Sequence, residues 1–196
     1  MPDTPPLADR PERWPVVSST DLHRDDWVVA LRADQITAPD GSGEPHRRLT
    51  LEHPGAVIVL ALDADDRALC LWQYRHPAGR RFVELPAGLL DGGDDEEPLA
   101  VAVRELREEA ELQAEEWTHL TSIYPSPGIS AEVHHLYLAR GLTAVDRGDF
   151  QLQHEEADMD IGWVAFEDLY DAVVAGSLTD APLVACVLLA RARGLA

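Results

Sequence analysis

At 196 residues, 45 % apolar and 27 % charged, the chain has the size and composition of one globular domain with at most a small appended element. Sixteen basic residues against thirty-six acidic ones leave a formal net charge of −20, which repels phosphate backbones and anionic headgroups and so argues against nucleic acid or a membrane surface as partner. Cys70 and Cys186 sit in apolar runs without CxxC spacing, which predicts two buried free thiols rather than a disulfide scaffold or a zinc site.

Residues 1–15 hold five prolines and little apolar content, and a mobile tail is expected there. The tail has no apolar signal-peptide core and the chain no long apolar run, so the cytoplasm is the expected compartment. DWVVALRADQI and RRLTLEH, split by the turn-rich APDGSGEP, read as a hairpin or small sheet, an N-terminal β element over 16–52 that precedes the main domain at 53–196. AVIVLALD and ALCLWQYR then read as strands joined by the polar DADDR, and FVELPAG leads into a glycine-rich acidic loop. A helix follows: Pro98 suits an early helical position, and Leu99, Val103, Leu106 and Ala110 recur at helical spacing as an expected core stripe. Strands are expected again at WTHLTSIY, VHHLYLA and MDIGWVAF, and helices at FEDLYDAVVAG and TDAPLVACVLLARARG. Strands mixed with a few helices, without strict alternation, point to an α/β or α+β sandwich.

The helix carries the chemistry. With the stripe facing the core, Glu105 and Glu109 are expected to project one turn apart from another face, with Glu108 beside them. Like charges at that spacing cost roughly some tenths of a kcal/mol per exposed pair, which a solvated surface tolerates. A divalent cation would instead turn the repulsion into attraction, since Mg²⁺ prefers carboxylate and phosphate oxygens.

Context favours the metal. Gly88, seven residues, Glu96, seven residues, then Arg104-Glu105-Leu106-Arg107-Glu108-Glu109 resembles the Nudix box, in which five residues separate the glycine from the first glutamate. A glycine is also usual where this chain has Glu111, which leaves the helix end without its expected left-handed cap. The resemblance implies an α/β/α sandwich that hydrolyses a nucleoside diphosphate linked to another group, using Mg²⁺ or Mn²⁺ and more than one ion. It implies Glu105, Glu109 and Glu108 as metal ligands with the carbonyl of Ala87, Arg104 as the group that orients the acidic cluster, and Glu96 as a structural carboxylate.

QYRHPAGRRFVELPAGLLD and Pro127, fifteen residues past Leu112, are similar to the ADP-ribose pyrophosphatase branch of that family. A small nucleotide sugar is then the expected substrate, contacted by Arg48, Arg75, Glu84 and Pro127, with Trp27 on the adenine or in a homodimer interface built by the N-terminal β element. A glutamate of HEEADMD, Glu155 or else Glu156, is expected as the catalytic base on a loop. Rival readings are a Nudix hydrolase of another nucleotide sugar and a non-catalytic ADP-ribose-binding regulator. An intact box and the absence of a basic helix-turn-helix region weigh against the regulator.

Overall fold

The computed structural model describes residues 7–93, 96–148 and 158–196, and the chain divides into two compact units, Met1–Glu52 and His53–Ala196. In the first, β1 (Val16–His23), β2 (Ala30–Ile36) and β3 (His46–Glu52) form an antiparallel sheet in the order β1-β2-β3. The expected element is a hairpin or small sheet, and the first of these strands lies outside the two apolar segments that predict it. VVSSTDLH has no apolar alternation, and every one of its side chains is exposed. The sheet is tied by polar groups around Asp34, whose carboxylate accepts from Ser19 Oγ at 2.6 Å, Arg32 Nε at 2.8 Å and Thr50 Oγ1 at 3.3 Å. These charge-assisted bonds hold the Asp34 carboxyl below its ordinary range, Arg32 contributing most.

In the second unit β4 (Ala56–Ala61) is buried at all six positions, which is why AVIVLA carries no polar residue. Then follow β5 (Arg67–Arg75), a turn of 3-10 helix at His76–Ala78, β6 (Arg80–Glu84) and β7 (Ala87–Leu89). Next come α1 (Pro98–Ala110), β8 (Leu112–Ile123), β9 (His134–Ala144), β10 (Asp160–Ala165), α2 (Phe166–Val174) and α3 (Ala181–Ala192). A mixed four-stranded sheet runs β7-β4-β9-β8, with β4 and β9 parallel, beside an antiparallel sheet β10-β5-β6.

Alternate residues of the central strands feed two cores. Ile58, Leu60, Leu136 and Leu138 pack with Phe166, Leu169, Leu183 and Val187 of α2 and α3, while Val57, Val59, Tyr137 and Ala139 pack with Val101, Ala102 and Leu106 of α1. The result is an α/β/α sandwich. Both thiols are free and buried, one in β5 and one in α3.

The orientation of α1 differs from the expected one. Leu99 and Val103 are 41 % and 42 % exposed, and the buried positions are Val101, Ala102, Leu106 and Glu109. The helix is turned by roughly one residue, about 100°, relative to the apolar stripe. Two of the three carboxylates thus turn inward rather than out from a separate face, because β7 offers them a backbone amide and a glycine. The helix also ends cleanly: Glu111 itself takes the left-handed conformation, φ 54° and ψ 38°, and its N–H donates to the Arg107 carbonyl at 3.0 Å.

Candidate functional site

Two short strands set the position of the acidic helix. β7 pairs antiparallel with the edge of β4, placing Ala87 opposite Ile58 and Gly88 opposite Val57, and α1 crosses directly over it. The Ala87 N–H donates to Glu109 Oε2 at 3.0 Å, and Glu109 is only 6 % exposed. Over the next residue lies the carboxyl of Glu105, so close that a Cβ on Gly88 would overlap it. A side chain at that position would push the Glu105 carboxyl aside.

Arg104 ties the loop to the helix. Its Nη2 donates to Glu105 Oε1 at 3.0 Å and lies 3.8 Å from Asp91, while its Nη1 donates to Glu96 Oε1 at 3.3 Å. Glu96 in turn accepts the Gly92 N–H at 2.8 Å, closing the turn that the acidic loop makes before the helix. One guanidinium therefore serves three carboxylates, and charge in this constellation stays in excess. Burial pushes the Glu105 carboxyl up to about 7 despite Arg104 beside it, with Glu108 and Asp91 adding to the shift.

A second group lies at the ends of β5 and β6. Arg75 donates from Nε and Nη2 to both oxygens of Glu84, at 2.7 to 3.1 Å, and Glu84 is 7 % exposed. Burial opposes the Arg75 charge, but Glu84, Asp180 and Glu109 outweigh it and hold the guanidinium pKa above its ordinary value. The electrostatic reach to Glu109 links this pair to the acidic turn. Asp180 caps α3, accepting the Leu183 N–H at 3.0 Å, and burial raises its carboxyl.

The structure thus gathers Ala87, Arg104, Glu105 and Glu109 into one constellation, with the half-buried Glu108 on the same helix and Arg75 with Glu84 as a neighbouring pair. Pro127 is exposed in the turn between β8 and β9, where the Ser126 carbonyl accepts the amides of Ile129 and Ser130. Trp27 and Arg48 belong to the N-terminal unit: Trp27 is 67 % exposed, and Arg48 donates to the Arg47 carbonyl. Glu155 and Glu156 lie outside the described residues. Asp91 and Asp180 join these groups without a motif that marks them as part of the site. Asp180 was within reach, since Asp before Ala-Pro at a helix start is an N-cap signal, whereas Asp91 is one of several loop acids and only the reach of Arg104 singles it out.

Among the described residues no three acidic, histidine or cysteine side chains form a closed cage around one point. What is gathered is a row of hard oxygen donors with too little positive charge, and that donor chemistry fits Mg²⁺ or Mn²⁺ rather than a thiolate- or imidazole-seeking ion.

Comparison with known proteins gives the family. The family profile described as NUDIX domain matches residues 52–185. The chain is 42 % identical over 172 residues to an ADP-ribose pyrophosphatase of Mycobacterium tuberculosis, covering 88 % of this chain and 80 % of that one. It is 34 % identical over 154 residues to an ADP-ribose pyrophosphatase of Bacillus subtilis, covering 79 % and 80 %. A crystal structure described as that of an ADP compounds hydrolase superposes with a TM-score of 0.74 over 96 % of this chain and 98 % of the other. Their identity is 18 %, so this match speaks for the fold alone.

Proposed function

Because the chain belongs to the Nudix hydrolase family, we propose that it cleaves the diphosphate of ADP-ribose with water, giving AMP and ribose 5-phosphate. The observation that carries the reading is the buried pair Glu105 over Gly88 and Glu109 on the Ala87 amide, a carboxylate platform short of positive charge. Enzymes of this family generally use divalent metals, and in this chain Glu105, Glu108, Glu109 and the Ala87 carbonyl would hold Mg²⁺, with Mn²⁺ as a substitute and more than one ion per site. The bound metal supplies positive charge to the diphosphate and acidifies a water.

The chain's own residues do the rest. Arg104 keeps Glu105 in place through its Nη2 contact. Arg75, held by Glu84, presents a planar donor set to the diphosphate or its ribose, with Pro127 as a further substrate contact. For the N-terminal unit the proposed roles are Arg48 on the diphosphate or ribose and Trp27 on the adenine or in a dimer interface. Glu155, with Glu156 as the alternative, accepts the proton of the attacking water as the new P–O bond forms and the bridging P–O bond breaks. Two buried, unpaired thiols agree with a reducing compartment such as the cytoplasm, and no helix among the described residues is long and apolar enough to cross a membrane.

The test is product analysis with ADP-ribose and a panel of other nucleotide sugars, with and without Mg²⁺. AMP and ribose 5-phosphate appearing only with the metal, and fastest from ADP-ribose, is the expected result. A faster reaction with another nucleotide sugar would reassign the substrate, and binding without turnover would make the chain a sensor.

A further inference from the structure

Outside the acidic turn the second unit holds another cluster of ionisable groups. Glu132 Oε1 lies 2.6 Å from His134 Nε2 and 3.6 Å from His53 Nε2, and all three side chains are largely buried, at 21 %, 12 % and 13 % exposure. The three come from different places: His53 precedes β4, Glu132 ends the turn that carries Pro127, and His134 opens β9.

The tautomer of His53 follows from its neighbours. Its Nδ1 lies 3.1 Å from the Gly55 N–H and must accept that bond, so the neutral ring carries its proton on Nε2, facing Glu132. Gly55 is a junction. It has φ +99°, a Cβ there would come within 3.0 Å of the Val133 carbonyl, and its own carbonyl accepts the Leu90 N–H at 3.1 Å, at the end of the strand that carries Ala87. On the other side, the Glu132 N–H donates to Ser130 Oγ at 3.0 Å, within the turn of Pro127.

We propose that His53, Glu132 and His134 are positioning residues of the reaction: they lock the Pro127 turn to the strand of Ala87, and do so fully only while His53 is neutral. The inference rests on the proposed roles of Ala87 and Pro127. Protonating His53 places a hydrogen on Nδ1 against the Gly55 N–H, and two donors cannot share that bond. Gly55 then loses that bond, which loosens the carbonyl that accepts the Leu90 N–H, while the Ala56 N–H keeps the start of β4 on the Val133 carbonyl at 2.9 Å. Burial keeps the ring neutral and Glu132 opposes it, so release occurs only on the acid side of neutrality. Among the described residues the other titratable groups that interact with the cluster are Asp180 from the cap of α3, which senses His134, and His135, the next residue of β9. Among the described residues the buried His134 Nδ1 has no hydrogen-bond partner, and the ring is held through its Nε2 on Glu132.

The experiment is an amide NMR titration of the Mg²⁺-loaded full chain from pH 8 to 5, paired with steady-state kinetics over the same range. His53→Asn is the decisive variant, because its side-chain oxygen can still accept the Gly55 N–H but does not titrate. The Gly55 and Leu90 amide signals should follow one titration in the unmodified protein and stay flat in His53→Asn. The rise of KM toward acid should shrink by about threefold or more in that variant. Glu132→Gln should move the midpoint to lower pH, since the carboxylate that favours the charged ring is gone. A Gly55 amide that ignores His53, or a His53→Asn enzyme with an unchanged KM profile, overturns the proposal. A wild-type chain that hydrolyses no nucleotide sugar overturns the proposed function instead, and the amide titration still decides the linkage between His53 and Gly55.

Discussion

Glu105 lies against a glycine and beside one arginine, and the arginine does not neutralise all the carboxylates it touches. Replacing Glu105 or Glu109 with glutamine keeps size and hydrogen-bonding shape but removes a negative charge from the platform. Turnover should therefore fall by about a thousandfold or more while the fold survives, read as kcat at saturating Mg²⁺ beside an unchanged circular dichroism spectrum. The same burial makes stability depend on pH. The folded-state pKa of Glu105, about 7, stands above the ordinary 4.5, so between these values the folded chain holds more protons than the unfolded one. Without metal, stability should fall as pH rises through that window, and Mg²⁺ should restore it above the window more than below. Urea midpoints at pH 5 and pH 8, with and without Mg²⁺, measure this, and Glu105→Gln should lose both effects. At this scale the spacing of the glutamates was legible in the sequence, and their burial was not. Helical periodicity assigned the core to Leu99 and Val103, and the Ala87 amide and the bare face of Gly88, which draw the carboxylates inward, belong to a strand that pairs only in the folded chain.

A strand buried on both faces declares itself by its unbroken apolar run, as β4 does, whereas β1, with eight exposed and mostly polar residues, does not. The end of α1 is an intermediate case. The sequence lacks the glycine that favours a left-handed cap, yet the chain makes that cap with Glu111, tied at 3.3 Å to Arg147. Glu111→Gly should remove the cost of a left-handed non-glycine residue and lose an exposed ion pair of little worth, raising stability by about 0.5–1 kcal/mol. Chemical denaturation reads it, and a lower midpoint would mean that the Arg147 contact outweighs backbone strain. Gly88→Ala is the opposite case: its Cβ would displace the Glu105 carboxyl, so activity should fall with it even where the variant folds. The two substitutions separate a glycine the backbone could use from one the site requires.

For the molecule as a whole, the N-terminal unit poses the open question of assembly. Of its described residues only Ala30, Asp34 and Thr37 are buried, while Val16, Val17, Leu22, Trp27, Val28 and Leu49 remain 39 % to 67 % exposed in the single chain. A piece of this size with so small a core does not supply its own stability, and apolar side chains left open on a sheet call for a covering surface. The sequence showed the apolar content of this segment but not what covers it, because a surface that another chain buries has the same pattern as one the chain buries itself. The expected cover is the same unit of a second copy, related by a two-fold axis, since a self-complementary patch closes most simply as a symmetric dimer. Sedimentation equilibrium at micromolar concentration should give twice the chain mass of 21.6 kDa. Val17→Asp with Leu22→Asp, which places a charge on each of two exposed apolar positions of β1, should shift the chain to monomer and lower its thermal midpoint without touching the acidic turn. A wild-type chain that sediments as a monomer with full activity would show that these side chains tolerate water, and the dimer would have to be given up.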